Sequence, residues 1–167
     1  KLDTLSDRLM FRLAYRNFGT HESLVLNHTV DAGTDQAAIR WYEIRDPRGN
    51  PPTIHQQSTF APDSMHRWMA AAAMDSEGNL AVAYNASSAS ATPSIRYTGR
   101  LAGDPLGTLP QGEATLIASA TSQTSGNRWG DYSTLTLDPT DDCGFWYTNE
   151  YYSSSSPGSW KTRVGAF

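Results

Sequence analysis

The sequence predicts an all-β protein, and three observations carry that expectation. Segments led by arginine recur about every sixty residues. The apolar runs between turn residues are four to eight residues long and rich in aromatic and aliphatic side chains. Some of those runs are apolar on both faces. Antiparallel units that repeat and are buried on both sides argue for β-propeller blades. A sandwich would not explain the repetition. The reading is a β-propeller-like chain of about three four-stranded antiparallel blades, half of a six-bladed ring, with residues 1–167 as one unit and repeats at roughly 1–48, 49–104 and 105–167.

The first repeat runs from Arg8 to Tyr15, passes Gly19, continues through Ser23 to His28 and reaches Ile39-Arg40-Trp41-Tyr42. The second runs from Arg67 to Asp75, passes Gly78, continues through Leu80 to Asn85 and reaches Ile95-Arg96-Tyr97. The third runs from Arg128 to Ser133, then Leu135 to Asp138, Phe145 to Asn149 and Thr162-Arg163-Val164. The leading arginines are 59 and 61 positions apart. A fourth element, Thr53–Phe60 and later Thr115–Ala120, precedes the arginine-led strand in the second and third repeats. The first has only Lys1–Ser6 there, which reads as a clipped copy. Asp75–Asn79 is a hairpin turn whose Gly78 can take positive φ, and Pro139–Gly144 is its counterpart. Ala70–Ala73 has helical propensity, but its repeat partners do not, so a crowded inner strand is the reading. Three blades leave sheet faces open. The sequence therefore predicts a completing partner: further blades of a longer parent chain, or a second copy.

Composition excludes several classes. Thirteen Lys and Arg against seventeen Asp and Glu give a net charge of −4, the wrong sign for a phosphate-binding surface, so no nucleic-acid partner is expected. No apolar stretch is long enough to insert in a membrane as a helix. One cysteine, Cys143, excludes an intrachain disulfide framework and reads as a small buried residue or a chance thiol. His21, His28, His55 and His66 lack ligand spacing, and no metal site is assigned. Few lysines, many Ser, Thr, Asn and Gly, and the polar run Tyr151–Gly158 point to a secreted, extracellular protein. A start at Lys1 without Met reads as a processed or truncated product.

Pro93–Arg100, Arg128-Trp129-Gly130-Asp131-Tyr132-Ser133 and Asp138–Tyr151 together resemble the C-terminal part of large secreted bacterial proteins described as sialidase-like or BNR-type β-propellers. The resemblance implies the fold and export. The Asp-box of true sialidases, Ser-x-Asp-x-Gly-x-x-Trp, is not matched, because Asp75 stands three residues before Gly78 rather than two.

Two sets of residues could carry chemistry. Arg40, Arg96 and Arg163 recur at matching strand positions; a sialidase holds its substrate carboxylate with three arginines, while structural pairing in every blade explains the same recurrence. Asp131, Glu150 and Tyr151 depart from the repeat. They are the candidate catalytic set, since a glycosidase needs flanking carboxylates and a sialidase a tyrosine nucleophile assisted by glutamate. Tyr152 and Trp160 flank the serine-rich run as candidate exposed contacts for a ligand, with the arginines above. Asp138, Asp141 and Asp142 could hold Ca²⁺, but their spacing is not that of an EF-hand, and such residues also start turns. The serines 153–156 lack a nucleophile-elbow context. The sequence thus points to an extracellular binding or scaffolding module for a glycan or protein. The alternatives are a sialidase-type glycoside hydrolase and a purely structural domain of a larger surface protein.

Overall fold

The computed structural model describes residues 1–49, 51–155, 158 and 160–167. Eleven strands form three antiparallel sheets, with no helix among the described residues. The first sheet contains β1 (Ala14–Asn17), β2 (Glu22–Asp31), β3 (Ala37–Arg45) and β4 (Thr53–Phe60). The second contains β5 (His66–Met74), β6 (Leu80–Ser88), β7 (Ala91–Arg100) and β8 (Glu113–Ala118). The third contains β9 (Thr134–Leu137), β10 (Phe145–Tyr152) and β11 (Trp160–Ala166). Each sheet is a meander in which sequential strands pair. Gly78 sits at φ +84° in the β5–β6 turn, where Asp75 Oδ1 accepts the amides of Glu77 and Asn79, so this turn forms where the sequence places it.

Two corrections concern the strands. Thr53–Phe60 pairs with β3, and the Thr115–Ala118 part of Thr115–Ala120 lies in β8 and pairs with β7, so each closes the sheet before it. The first sheet therefore has four strands, and the third has three among the described residues. Of Arg8–Tyr15, only Ala14 and Tyr15 are in a strand; Arg12 takes φ +77°, a left-handed conformation that interrupts a ladder.

The second sheet is buried on both sides, and strand alternation shows how. Ala70, Ala72, Val82, Tyr84 and Ala86 pack with Val25, Ile39 and Trp41 of the first sheet. The intervening Ala71, Ala73, Ala81 and Ala83 pack with Leu135, Phe145 and Tyr147 of the third. Alanine is thus selected by the neighbouring sheets and not by helical propensity. Trp68 and Met69 join Ala37, Trp129 and Tyr152 in a third cluster. Met69 takes φ +47° in a bulge between Trp68 and Ala71, and its amide donates to Thr29 Oγ1 of β2 at 3.1 Å.

A buried ion network ties β5, β6, β7 and β8 together. The Arg67 side chain is fully buried; its Nε and Nη2 grip Glu113 at 2.7 and 3.1 Å, and Nη1 and Nη2 reach Asp63 at 2.8 and 3.1 Å. Glu113 also accepts from Tyr84 at 2.7 Å and from Arg96 at 2.6 Å. Burial raises the Glu113 pKa, but the hydrogen bonds from Arg67, Tyr84 and Arg96 outweigh it and hold the carboxyl below its ordinary value. Because the folded pKa is depressed, the stabilisation is complete above the unfolded value and is lost as pH falls through the folded one. The stability difference between the native chain and Glu113→Gln should therefore shrink between about pH 5 and pH 3. Urea midpoints at pH 7, 5 and 3 check this, and a constant difference would refute the linkage.

Candidate functional site

A cavity of about 690 Å³ opens where loops of the first two sheets meet. Its walls come from the β2–β3 connection (Asp31, Asp35, Gln36), the start of β5 (His66, Trp68), the β6–β7 hairpin (Ser87, Ser88), residues 122–123 and the N-terminal segment. Binding groups set on loops over a rigid sheet stack are a common arrangement, because loops vary while sheets hold position.

The polar groups here are anchored. Asp31 Oδ1 accepts the Gly33 amide at 2.8 Å, which sets the β2–β3 turn. The Gln36 amide nitrogen donates to Asp63 O at 2.5 Å and Met65 O at 3.3 Å. His66 Nδ1 accepts the Ala37 amide at 3.3 Å, so the neutral ring carries its proton on Nε2, available to donate. Ser88 Oγ pairs with Ser90 Oγ at 3.3 Å, and Lys1 is ion-paired with Asp35. Asp3, Asp31 and Asp35 face one lysine, so the cavity is poor ground for an anion. Hydroxyls, an amide, carboxylates and an imidazole donor suit a neutral, hydroxyl-rich ligand. Sequence reasoning missed His66 and Gln36 because neither stands in a motif; what unites them is loop geometry.

Arg40, Arg96 and Arg163, whose recurrence fits either a carboxylate clamp or structural pairing, lie in three different places. Arg40 alternates with Ile39 and Trp41, which face the second sheet, so it points away; it bonds Thr59 at 3.2 Å and Gln57, and lies over the Tyr42 ring. Arg96 is engaged by Glu113 between the first and second sheets. Arg163 is exposed on the edge strand β11, in register with Asn149. Repetition in sequence gave them equal strand numbers but not one shared focus.

The catalytic set is divided. Asp131 lies near enough to Glu150 to act on its charge, and Glu150 Oε1 accepts the Gly130 amide at 2.8 Å. Burial first, and Asp131 in addition, push the Glu150 carboxyl above its ordinary pKa, against the pull of the Gly130 amide. Tyr151 follows Glu150 in β10 and so occupies the opposite face. Arg128 pairs with Asp131. Tyr152 is a correction: it is buried, edge-on to Trp129 at 4.9 Å with its hydroxyl donating to Gln123, and offers no exposed contact. Trp160 is exposed, at 58%.

The acidic turn is occupied internally. Asp138 accepts from Thr140 and from Trp146 Nε1, Asp141 from the Cys143 and Gly144 amides at 3.0 Å each, and Asp142 pairs with Arg16 of β1. This turn therefore joins the third sheet to the first. Cys143 is exposed, not buried. No cluster of three His, Cys, Asp or Glu side chains that could share a metal ion occurs among the described residues. Of the serine-rich run, Ser156 lies outside them.

Several buried polar atoms have no partner among the described residues: both amide atoms of Asn27 and of Asn85, and Asp131 Oδ1. Asn85 carried a readable signal, since an amide inside the apolar run Leu80–Ala86 must be satisfied by something. Comparisons with family models, curated proteins and solved structures gave no match.

Proposed function

We propose that the three sheets are consecutive blades of a β-propeller and that the chain is an extracellular binding module whose ligand, a neutral glycan, occupies the cavity beside His66. The cavity is the observation that carries this reading, because it offers several anchored hydrogen-bonding groups and a surplus of acidic charge. The blade reading is supported by the three meanders stacked face to face. Exposed apolar side chains, Phe11, Leu13 and Tyr15 in and just before β1 and Trp160 and Val164 on the edge strand β11, support further sheets from a longer parent chain or a second copy.

The test is glycan-array binding followed by titration. His66→Ala should weaken the best neutral ligand about tenfold, the effect of one lost hydrogen bond in a partly desolvated site. Trp160→Ala should leave it unchanged. The reverse result would move the ligand to the exposed edge of the third sheet. Turnover of a fluorogenic sialoside that vanishes in Glu150→Gln would replace binding with hydrolysis.

A further inference from the structure

We propose that the junction of the second and third sheets is a binding site for a hard divalent cation of the calcium class, held by Asp131, Glu150 and Asn85. This site is separate from the glycan cavity. Three strands of observation converge on it. The Asn85 side chain is wholly buried, and neither its oxygen nor its nitrogen has a partner among the described residues. It packs directly against Gly130, where a Cβ would collide with the Asn85 amide; Gly130 is at φ +80°, so only glycine brings the chain this close in this conformation. The Gly130 amide in turn donates to Glu150 Oε1 at 2.8 Å, and the next residue, Asp131, carries a buried oxygen, Oδ1, with no partner.

Buried acids elsewhere in the chain are fully served. Glu43 accepts from Ser23 at 2.8 Å, Gln56 at 2.6 Å and Arg45 at 2.8 Å. Glu113 has two arginines and a tyrosine. At the Gly130 junction two neighbouring carboxylates have one cation between them, Arg128 on Asp131 Oδ2.

The available donors are all oxygens. Histidine and cysteine are absent from the set, which disfavours zinc or copper and favours a hard ion that accepts carboxylate, amide and water oxygens in flexible geometry. Two carboxylates and an amide leave the remaining positions to water and backbone carbonyls, an incomplete protein cage that gives moderate affinity. The Asp138–Asp142 turn does not compete, because its carboxylates are occupied.

The full chain, stripped with chelator, is titrated with CaCl₂ by calorimetry and with Tb³⁺ by luminescence, for which Trp129 next to Gly130 is a local sensitiser. The expected result is one ion per chain, a dissociation constant of about 10⁻⁵–10⁻³ M, and a thermal midpoint that rises with calcium. Asp131→Asn and Glu150→Gln should each weaken binding about tenfold or more. Glu150→Gln keeps the acceptor for the Gly130 amide, and an unchanged metal-free midpoint confirms that it folds. Asp141→Asn should bind as the native chain does. Absence of calcium and terbium binding, or binding indifferent to both junction substitutions, overturns the site. So does a crystal structure grown with calcium that shows only an ordered water against Asn85.

Discussion

Arg67→Ala should lower folding stability by about 3–5 kcal/mol, the loss typical when one partner of a buried ion pair is removed. The guanidinium is completely buried over the Phe60 ring and makes five hydrogen bonds, four to carboxylate oxygens and one to Met65 O. Burial alone would weaken its charge, but Asp63 and Glu113 hold it firmly protonated. Its removal leaves Glu113 buried with Arg96 and Tyr84 only, and opens a hole between the first two sheets. Two comparisons separate charge from volume. Arg67→Met restores volume and should still be strongly destabilising, because Glu113 remains ionised. Arg67→Met combined with Glu113→Gln should be less destabilising than the sum of the single changes, since the second substitution removes the stranded charge. Arg8, at the equivalent sequence position, pairs with Asp7 at the surface, and Arg8→Ala should leave stability close to that of the native chain. Urea denaturation of these four variants and of Glu113→Gln alone measures this. An Arg67→Ala change as mild as Arg8→Ala would show that the network contributes nothing to folding.

That contrast also shows where sequence reading stops. The chain is all-β with three antiparallel sheets, and Arg8, Arg67 and Arg128 recur in its sequence with an even spacing. That spacing could not announce environment, which depends on partners distant in sequence. Arg67 is buried because Asp63 and Glu113 are delivered by the segment before β5 and by β8. The Arg128 side chain pairs with Asp131, three residues on. The same limit explains the misplaced outer strands. Thr53–Phe60 is half-exposed and in sequence lies between the inner strands of two sheets with short connections on both sides, so periodicity cannot say which sheet it joins. The inner strands were legible because burial on both faces leaves a continuous apolar run, and the Gly78 turn because its chemistry is local. Of the candidate site, Asp131 and Glu150 were found as departures from the repeat. His66, Gln36 and the uncovered oxygens around Gly130 arise from loops and strands meeting in space. One amide in a buried strand, Asn85, was the single cue that sequence offered and that went unread.

Trp68→Ala should match or exceed the first effect among apolar substitutions, at about 3–5 kcal/mol. Trp68 is 2% exposed, and its Nε1 donates to Trp129 O at 3.1 Å. It belongs to a buried cluster that includes Ala37 of the first sheet, Met69 of its own and Tyr152 of the third. Truncation would empty this volume and strand the Trp129 carbonyl. Because Met69 sits beside it in a left-handed conformation, the surrounding strand has little freedom to collapse into the gap. Trp68→Phe separates the contributions: most of the packing returns while the hydrogen bond does not, and a residual loss of about 1–3 kcal/mol should remain. Trp160→Ala is the surface control and should lie within about 0.5 kcal/mol of the native chain. Denaturation slopes add a second readout. If the cluster joins the sheets into one cooperative unit, Trp68→Ala should lower the urea slope or split the transition as the third sheet separates from the second. A single transition with native slope and a stability equal to that of Trp160→Ala would mean that the sheets are held together by the alanine-lined faces alone.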